Sequence, residues 1–202
     1  AQIKYTKRYA EMLQDVDFGE TIIVANEFDA PYKFGKIHSG RGKVELLGAM
    51  LHMGNKSNLR KLLLGRKWGK LNEDGSLDTR QWDVFIKRME DSNIITKKDY
   101  EFLQAVWDLN EEMLPLMQKT HRNVFGYYFK VVEASPVITK YGTYRGGYVP
   151  AKVDIDMVED AKRNAALEDL KTDFRLSLPA VQKGFTMTRV EYNRPLSLHL
   201  NA

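Results

Sequence analysis

Apolar residues recur at three- and four-residue steps along most of this chain, and residues 124–154 replace that spacing with short β-branched and aromatic runs. Tyr5, Tyr9, Met12, Leu13 and Val16 predict a first helix, ended by Asp17-Phe18-Gly19. Thr21–Ala25 reads as a short strand, and a polar loop over 26–35 follows. Val44, Leu47, Met50 and Leu51 predict a helix stopped at Gly54-Asn55. Leu59, Leu62 and Leu63 predict a second, shorter one with Ser57 as its N-cap and Gly65 at its end. Trp82, Phe85, Ile86 and Met89 give the next helix an apolar face, with Asp78 or Thr79 as its cap.

Thr96 and Asp99 form a capping box that opens the longest periodic run, through Tyr100, Leu103, Trp107, Leu114, Met117, Val124 and Tyr128. Pro115 lies inside this central helix, where its missing amide is expected to kink or divide it. Asn110 and His121 share its apolar face and are expected to be hydrogen-bonded core residues. The stretch from Phe125 to Phe129 is expected to pack in the core, and Gly142, Gly146 and Gly147 break the following run into hairpin-like pieces. Asp156 and Glu159 form another capping box, for a helix to about residue 174. The last residues, from Pro195 onward, alternate apolar and polar positions without a stop signal, as a docked strand or a chain interrupted mid-pattern would. The expected fold is therefore mainly α, of the α+β type: one helical domain over 1–202 with a kinked central helix and a small β-hairpin insertion around residues 131–153.

Composition narrows the chemistry. With 43% hydrophobic residues in 202, the chain can bury one substantial core. No apolar run approaches the roughly 20 residues of a membrane helix. Cysteine is absent, which removes disulfides, thiolate zinc sites and thiol catalysis. Charge is unevenly placed: residues 33–70 hold ten Lys or Arg against the single acid Glu45, a balance of +9, while the rest carries −5. Such a segment suits a polyanionic partner as well as a solvated face.

No catalytic constellation emerges. The four histidines are isolated, no serine has a nucleophile elbow's glycines, and Gly40-Arg41-Gly42 lacks the spacing of a nucleotide loop. Leu71–Gln81 has the turn of a calcium loop but Lys70 and Gln81 where its terminal oxygen ligands belong, so a tight turn is expected there. No catalytic residue, metal ligand or cofactor is therefore assigned. Glu45 is the acid an enzyme reading would choose. For a nucleic-acid reading, Lys56, Arg60, Lys61, Arg66 and Lys67 would neutralise phosphates, while Tyr144, Arg145 and Tyr148 would stack on bases.

Three stretches, LHMGNKSNLRKLLLGR at 51–66, FGYYF at 125–129 with YGTYRGGYVP at 141–150, and GFTMTRVEYNRPL at 184–196, resemble a conserved region of very large bacteriophage polyvalent or internal virion proteins. The resemblance covers most of the chain and brings no catalytic residues with it. It implies a segment of a larger chain, carried in the virion and delivered with phage DNA to the host cell, whose partners are other segments of that protein, other virion proteins or DNA. The favoured function is a non-enzymatic structural or interaction module. The alternatives are a nucleic-acid-contacting module using residues 33–70 and, behind it, a fragment of a cell-wall-degrading or polymerase-associated phage enzyme.

Overall fold

A computed structural model describes residues 2–14, 16, 42–66, 68–152, 196–198 and 200, with the side chains of 2, 3 and 42 excepted. The expected strand at 21–25, the cap at 17–19 and the helix at 156–174 lie outside them. The described residues are mainly helical, with five α-helices and two small antiparallel hairpins. In chain order these are α1 (Gln2–Gln14), α2 (Gly42–Leu51), a 3-10 turn (His52–Gly54), α3 (Lys56–Gly65), β1 (Lys70–Leu71), β2 (Leu77–Asp78), α4 (Arg80–Asp91), α5 (Lys97–Phe125), β3 (Val137–Thr139) and β4 (Gly142–Tyr144).

The core forms where the apolar faces of α2, α3, α4 and α5 meet, and its largest fully buried side chains are Trp82, Trp107 and Tyr100. Trp68 stacks on Trp82 with ring centroids 5.8 Å apart and planes 9° from parallel. α5 begins as its capping box predicts, Asp99 Oδ2 accepting from the Thr96 amide at 2.8 Å. It ends at Gly126, whose φ of +81° is the left-handed cap that a side chain resists.

Several expectations need correction. α5 is not divided: it runs as one helix of 29 residues with Pro115 inside it. Both Pro115 and Glu111 are exposed, so water can serve the carbonyl that the missing amide leaves open. The N-cap of α3 is Asn55, whose Oδ1 accepts from the Asn58 amide at 2.8 Å, and Ser57 lies inside the helix. The aromatic stretch after α5 is only partly core. Phe129 is buried, but Tyr127 and Tyr128 are 61% and 57% exposed.

The calcium-like loop is a tight turn closed by Asp74, whose Oδ1 accepts from the Ser76 amide at 2.9 Å, and β1 and β2 pair across it. The second hairpin is shorter than the 131–153 segment, spanning 137–144, with Ile138 opposite Thr143. It seats on the junction of α4 and α5: Tyr144 stacks on Tyr100 at 5.2 Å and 21°, and the Tyr141 hydroxyl donates to the Ile95 carbonyl at 3.1 Å. Tyr100 in turn donates to Glu90 at 2.7 Å, and its burial pushes the phenol well above its ordinary pKa.

The alternating C-terminal residues behave as a docked strand would. Leu196, Leu198 and Leu200 are all buried in the common core, and the Ser197 amide donates to the Lys152 carbonyl at 2.8 Å. The Tyr9 hydroxyl of α1 donates to the Leu200 carbonyl, and burial raises its pKa to about 12.

Candidate functional site

The described residues among those predicted to contact nucleic acid are held in different ways. Lys56 is exposed at the first position of α3, and Lys61 is half-buried. Arg60 donates to the Gly75 carbonyl at 3.0 Å. Arg66 is buried: its Nε and Nη2 both reach the Leu196 carbonyl, at 2.9 and 2.6 Å, and its guanidinium lies over the Trp68 ring at 5.3 Å. Lys67 lies outside the described residues. On the other segment, Tyr144 is committed to Tyr100, and Tyr148 is half-buried. Arg145 is exposed but bridges Asp108 at 2.6 Å and Glu111 at 2.5 Å. A guanidinium held between two carboxylates is a poor phosphate ligand, because both must be displaced first.

The motif residues instead meet one another. The Gly54 carbonyl accepts from both the Ser135 and Gly147 amides, at 2.8 and 2.9 Å. Asn55 Nδ2 donates to the Gly147 carbonyl at 3.2 Å and Asn58 Nδ2 to that of Val149 at 2.8 Å. Trp107 fits closely over this junction: its indole donates to the Leu51 carbonyl at 2.9 Å, and a Cβ on Gly147 would lie 2.5 Å from the Trp107 Cβ. Gly54 and Gly147 are needed for approach, since nothing larger than hydrogen fits between these backbones and the ring.

Beside this junction lie two cavities that share Asn110 of α5. The smaller, of about 50 Å³, is lined by His52, Tyr9, Ser197 and Leu200, among others. His52 is buried, and its Nδ1 has no hydrogen-bond partner among the described residues. Burial pushes its pKa down to about 4; the hydrogen bond to the Ser197 main chain opposes this, and the charges of Arg66 and Lys61 add to it. The larger, of about 230 Å³, is an open groove between α5 at Asn110, Glu111 and Leu114, the connecting segment at Val131–Ala134, and Gly147-Tyr148.

No protein-family model, curated protein or solved structure matches the chain. The geometry therefore stands alone. Among the described residues no cluster of His, Asp or Glu has a metal-binding arrangement, and no helix is long and apolar enough to cross a membrane. Glu45 sits half-buried in the first turn of α2 and lines neither cavity. His121 meets its expectation: Nδ1 lies 2.8 Å from the Tyr127 carbonyl, and the ring packs among Phe125, Tyr127 and Phe129. Asn110 does not. It is 7% exposed, yet its side chain has no hydrogen-bond partner among the described residues. Sequence reasoning placed Asn110 on the apolar face but had no signal for Val131, Val132 and Glu133, whose shared wall is set by where the chain turns after α5.

Proposed function

We propose that this chain is a non-enzymatic structural and interaction module of a large phage virion or ejected protein, working against other segments of that protein or other virion proteins. The observation that carries the reading is the use of the motif residues. The stretch 51–66 is tied to the stretch 141–150 through Gly54, Asn55 and Asn58, and to the end of the stretch 184–196 through Arg66 and the Leu196 carbonyl. Catalytic motifs hold side chains toward a cleft, with a nucleophile, base or metal in reach. Here the polar members satisfy distant main chain, which is the work of a framework.

The nucleic-acid alternative draws less support from the same residues, because Arg66 is buried against the Leu196 carbonyl and Arg145 is held by two carboxylates. In this reading the protein travels in the particle and leaves it on delivery. Quantitative mass spectrometry of gradient-purified particles of the encoding phage, before and after ejection in vitro, tests it. The tryptic peptide 71–80 should be present at fixed stoichiometry in full particles and depleted from emptied ones; its absence from full particles would overturn the proposal.

A further inference from the structure

We infer that the groove between α5 and residues 131–134 is a docking site for a polypeptide segment that carries a Lys or Arg side chain next to an apolar one. The choice of a polypeptide rests on the interaction-module reading; the site itself rests on three independent features of the fold.

Asn110 is the first. A carboxamide on a largely buried side chain normally has its donors and acceptor matched within the protein. Asn110 is more than nine-tenths buried and lines the groove, yet it makes no hydrogen bond among the described residues and is not among their fully enclosed unmatched polar groups, so its carboxamide stays open to a partner. An acceptor oxygen beside an NH2 donor is the complement of one peptide unit, which offers an N–H and a C=O side by side.

The second is main chain. Residues 130–134 belong to neither helix nor strand, and among the described residues their amides and carbonyls make no hydrogen bonds to other main chain. Their neighbours on both sides do have partners: Phe129 exchanges two bonds with the Gln118 side chain, and the Ser135 amide donates to Gly54. The wall of the groove is thus an unpaired stretch held at both ends, which suits main-chain pairing with an incoming peptide.

The third is the lining. Leu114, Val131, Val132 and Ala134 supply apolar surface, and Val131 is 42% exposed. Two carboxylates border it. Glu111 already has Arg145 at 2.5 Å, whereas Glu133 is exposed and has no partner among the described residues. A cationic side chain whose stem lies on the valines would meet Glu133 with its charged end. The same acids repel phosphate, so a nucleic-acid strand is the wrong occupant. A volume of about 230 Å³ also falls below the roughly 300–1,000 Å³ of small-molecule sites. It suits one or two side chains of a longer segment.

The test is an NMR titration of the intact, isotope-labelled chain with the tripeptide amides Ac-Val-Arg-Val-NH2 and Ac-Val-Glu-Val-NH2, and with adenosine as a base-bearing control. The arginine peptide should shift the Asn110 side-chain NH2 signals and the Val131 and Val132 methyls, and do so saturably. The glutamate peptide should bind about tenfold more weakly, because it sets like charges together. Glu133→Gln, an exposed change that spares the fold, should weaken the arginine peptide about threefold, the scale of an exposed ion pair. Asn110→Leu should abolish its binding while wild-type thermal unfolding is kept. Equal responses to both peptides, no response at Asn110, or a response to adenosine alone would each overturn the inference. The particle measurement does not depend on the groove, so the failure of one leaves the other standing.

Discussion

Lys43 Nζ lies 3.1 Å from Asp99 Oδ1, and the two side chains keep only 8% and 3% of their surface in water. The pair joins the first turn of α2 to the first turn of α5. Asp99 performs two tasks at once, since its other oxygen accepts from the Thr96 amide and hydroxyl at 2.8 and 2.9 Å. Removing the lysine alone leaves a carboxylate buried without its counter-charge. Lys43→Met should therefore cost about 3–5 kcal/mol of stability in urea unfolding. Adding Asp99→Asn, which removes the stranded charge and keeps an acceptor for Thr96, should recover much of that loss. A Lys43→Met variant within about 0.5 kcal/mol of wild type would mean the pair is no more than a surface contact.

Docking of residues 196–200 depends on space as well as bonding. A Cβ on Gly48 would overlap the Leu198 carbonyl oxygen, and Arg66 holds the Leu196 carbonyl from the other side. Gly48→Ala should expel this segment even though alanine is the better helix former, by about 1 kcal/mol, in the middle of α2. Arg66→Met should loosen it by about 1.5–3 kcal/mol, the scale of a hydrogen bond to a charged donor. Hydrogen exchange reads both directly. The amides of Ser197 and Leu198 should lose protection while those of α4 keep theirs, and unchanged protection at 197–198 would refute the docking.

His52 makes stability depend on pH in a defined window. Its folded pKa of about 4 lies below the ordinary 6.5, so between these values the unfolded chain takes up a proton that the folded chain excludes. The contribution of neutral, buried His52 is whole above pH 6.5, declines as pH falls and levels off below about 4. Its full size is about 3 kcal/mol, the free energy of holding the ring neutral down to about pH 4 rather than 6.5. Carboxylates titrate near the lower end, so the informative quantity is the difference between wild type and His52→Gln, measured by urea unfolding at pH 7, 5.5 and 4.5. Wild type should lose more stability than the variant on acidification; parallel curves would show that His52 is not buried as a neutral ring.

Much of the helical frame was legible because its signals are local. The Thr96–Asp99 capping box lies within four residues, and the apolar face of α4 repeats each turn, so neither needs knowledge of the rest of the chain. Ser57 was the expected cap of α3. The choice fell to Asn55, where its amide end also reaches Gly147, 92 positions away. The central helix ran through Pro115 because the expected break costs one hydrogen bond at an exposed place, and the packing on either side outweighs it.

The basic residues show the same division. Composition identified an excess of cations over 33–70, but a count of charge has no direction in space. Arg66 points inward to a carbonyl 130 positions on, and Arg145, chosen for its aromatic neighbours, lies between two acids of α5. By itself the sequence determined the helices of the described residues, the turn at Asp74-Gly75, the absence of thiol chemistry and the alternating C-terminal leucines, all properties of neighbouring residues. Only the tertiary structure decided which polar groups are spent on distant main chain and which, like Asn110 and Glu133, have no partner among the described residues. That depends on contacts between residues far apart in the chain, for which no local period or spacing exists to be read.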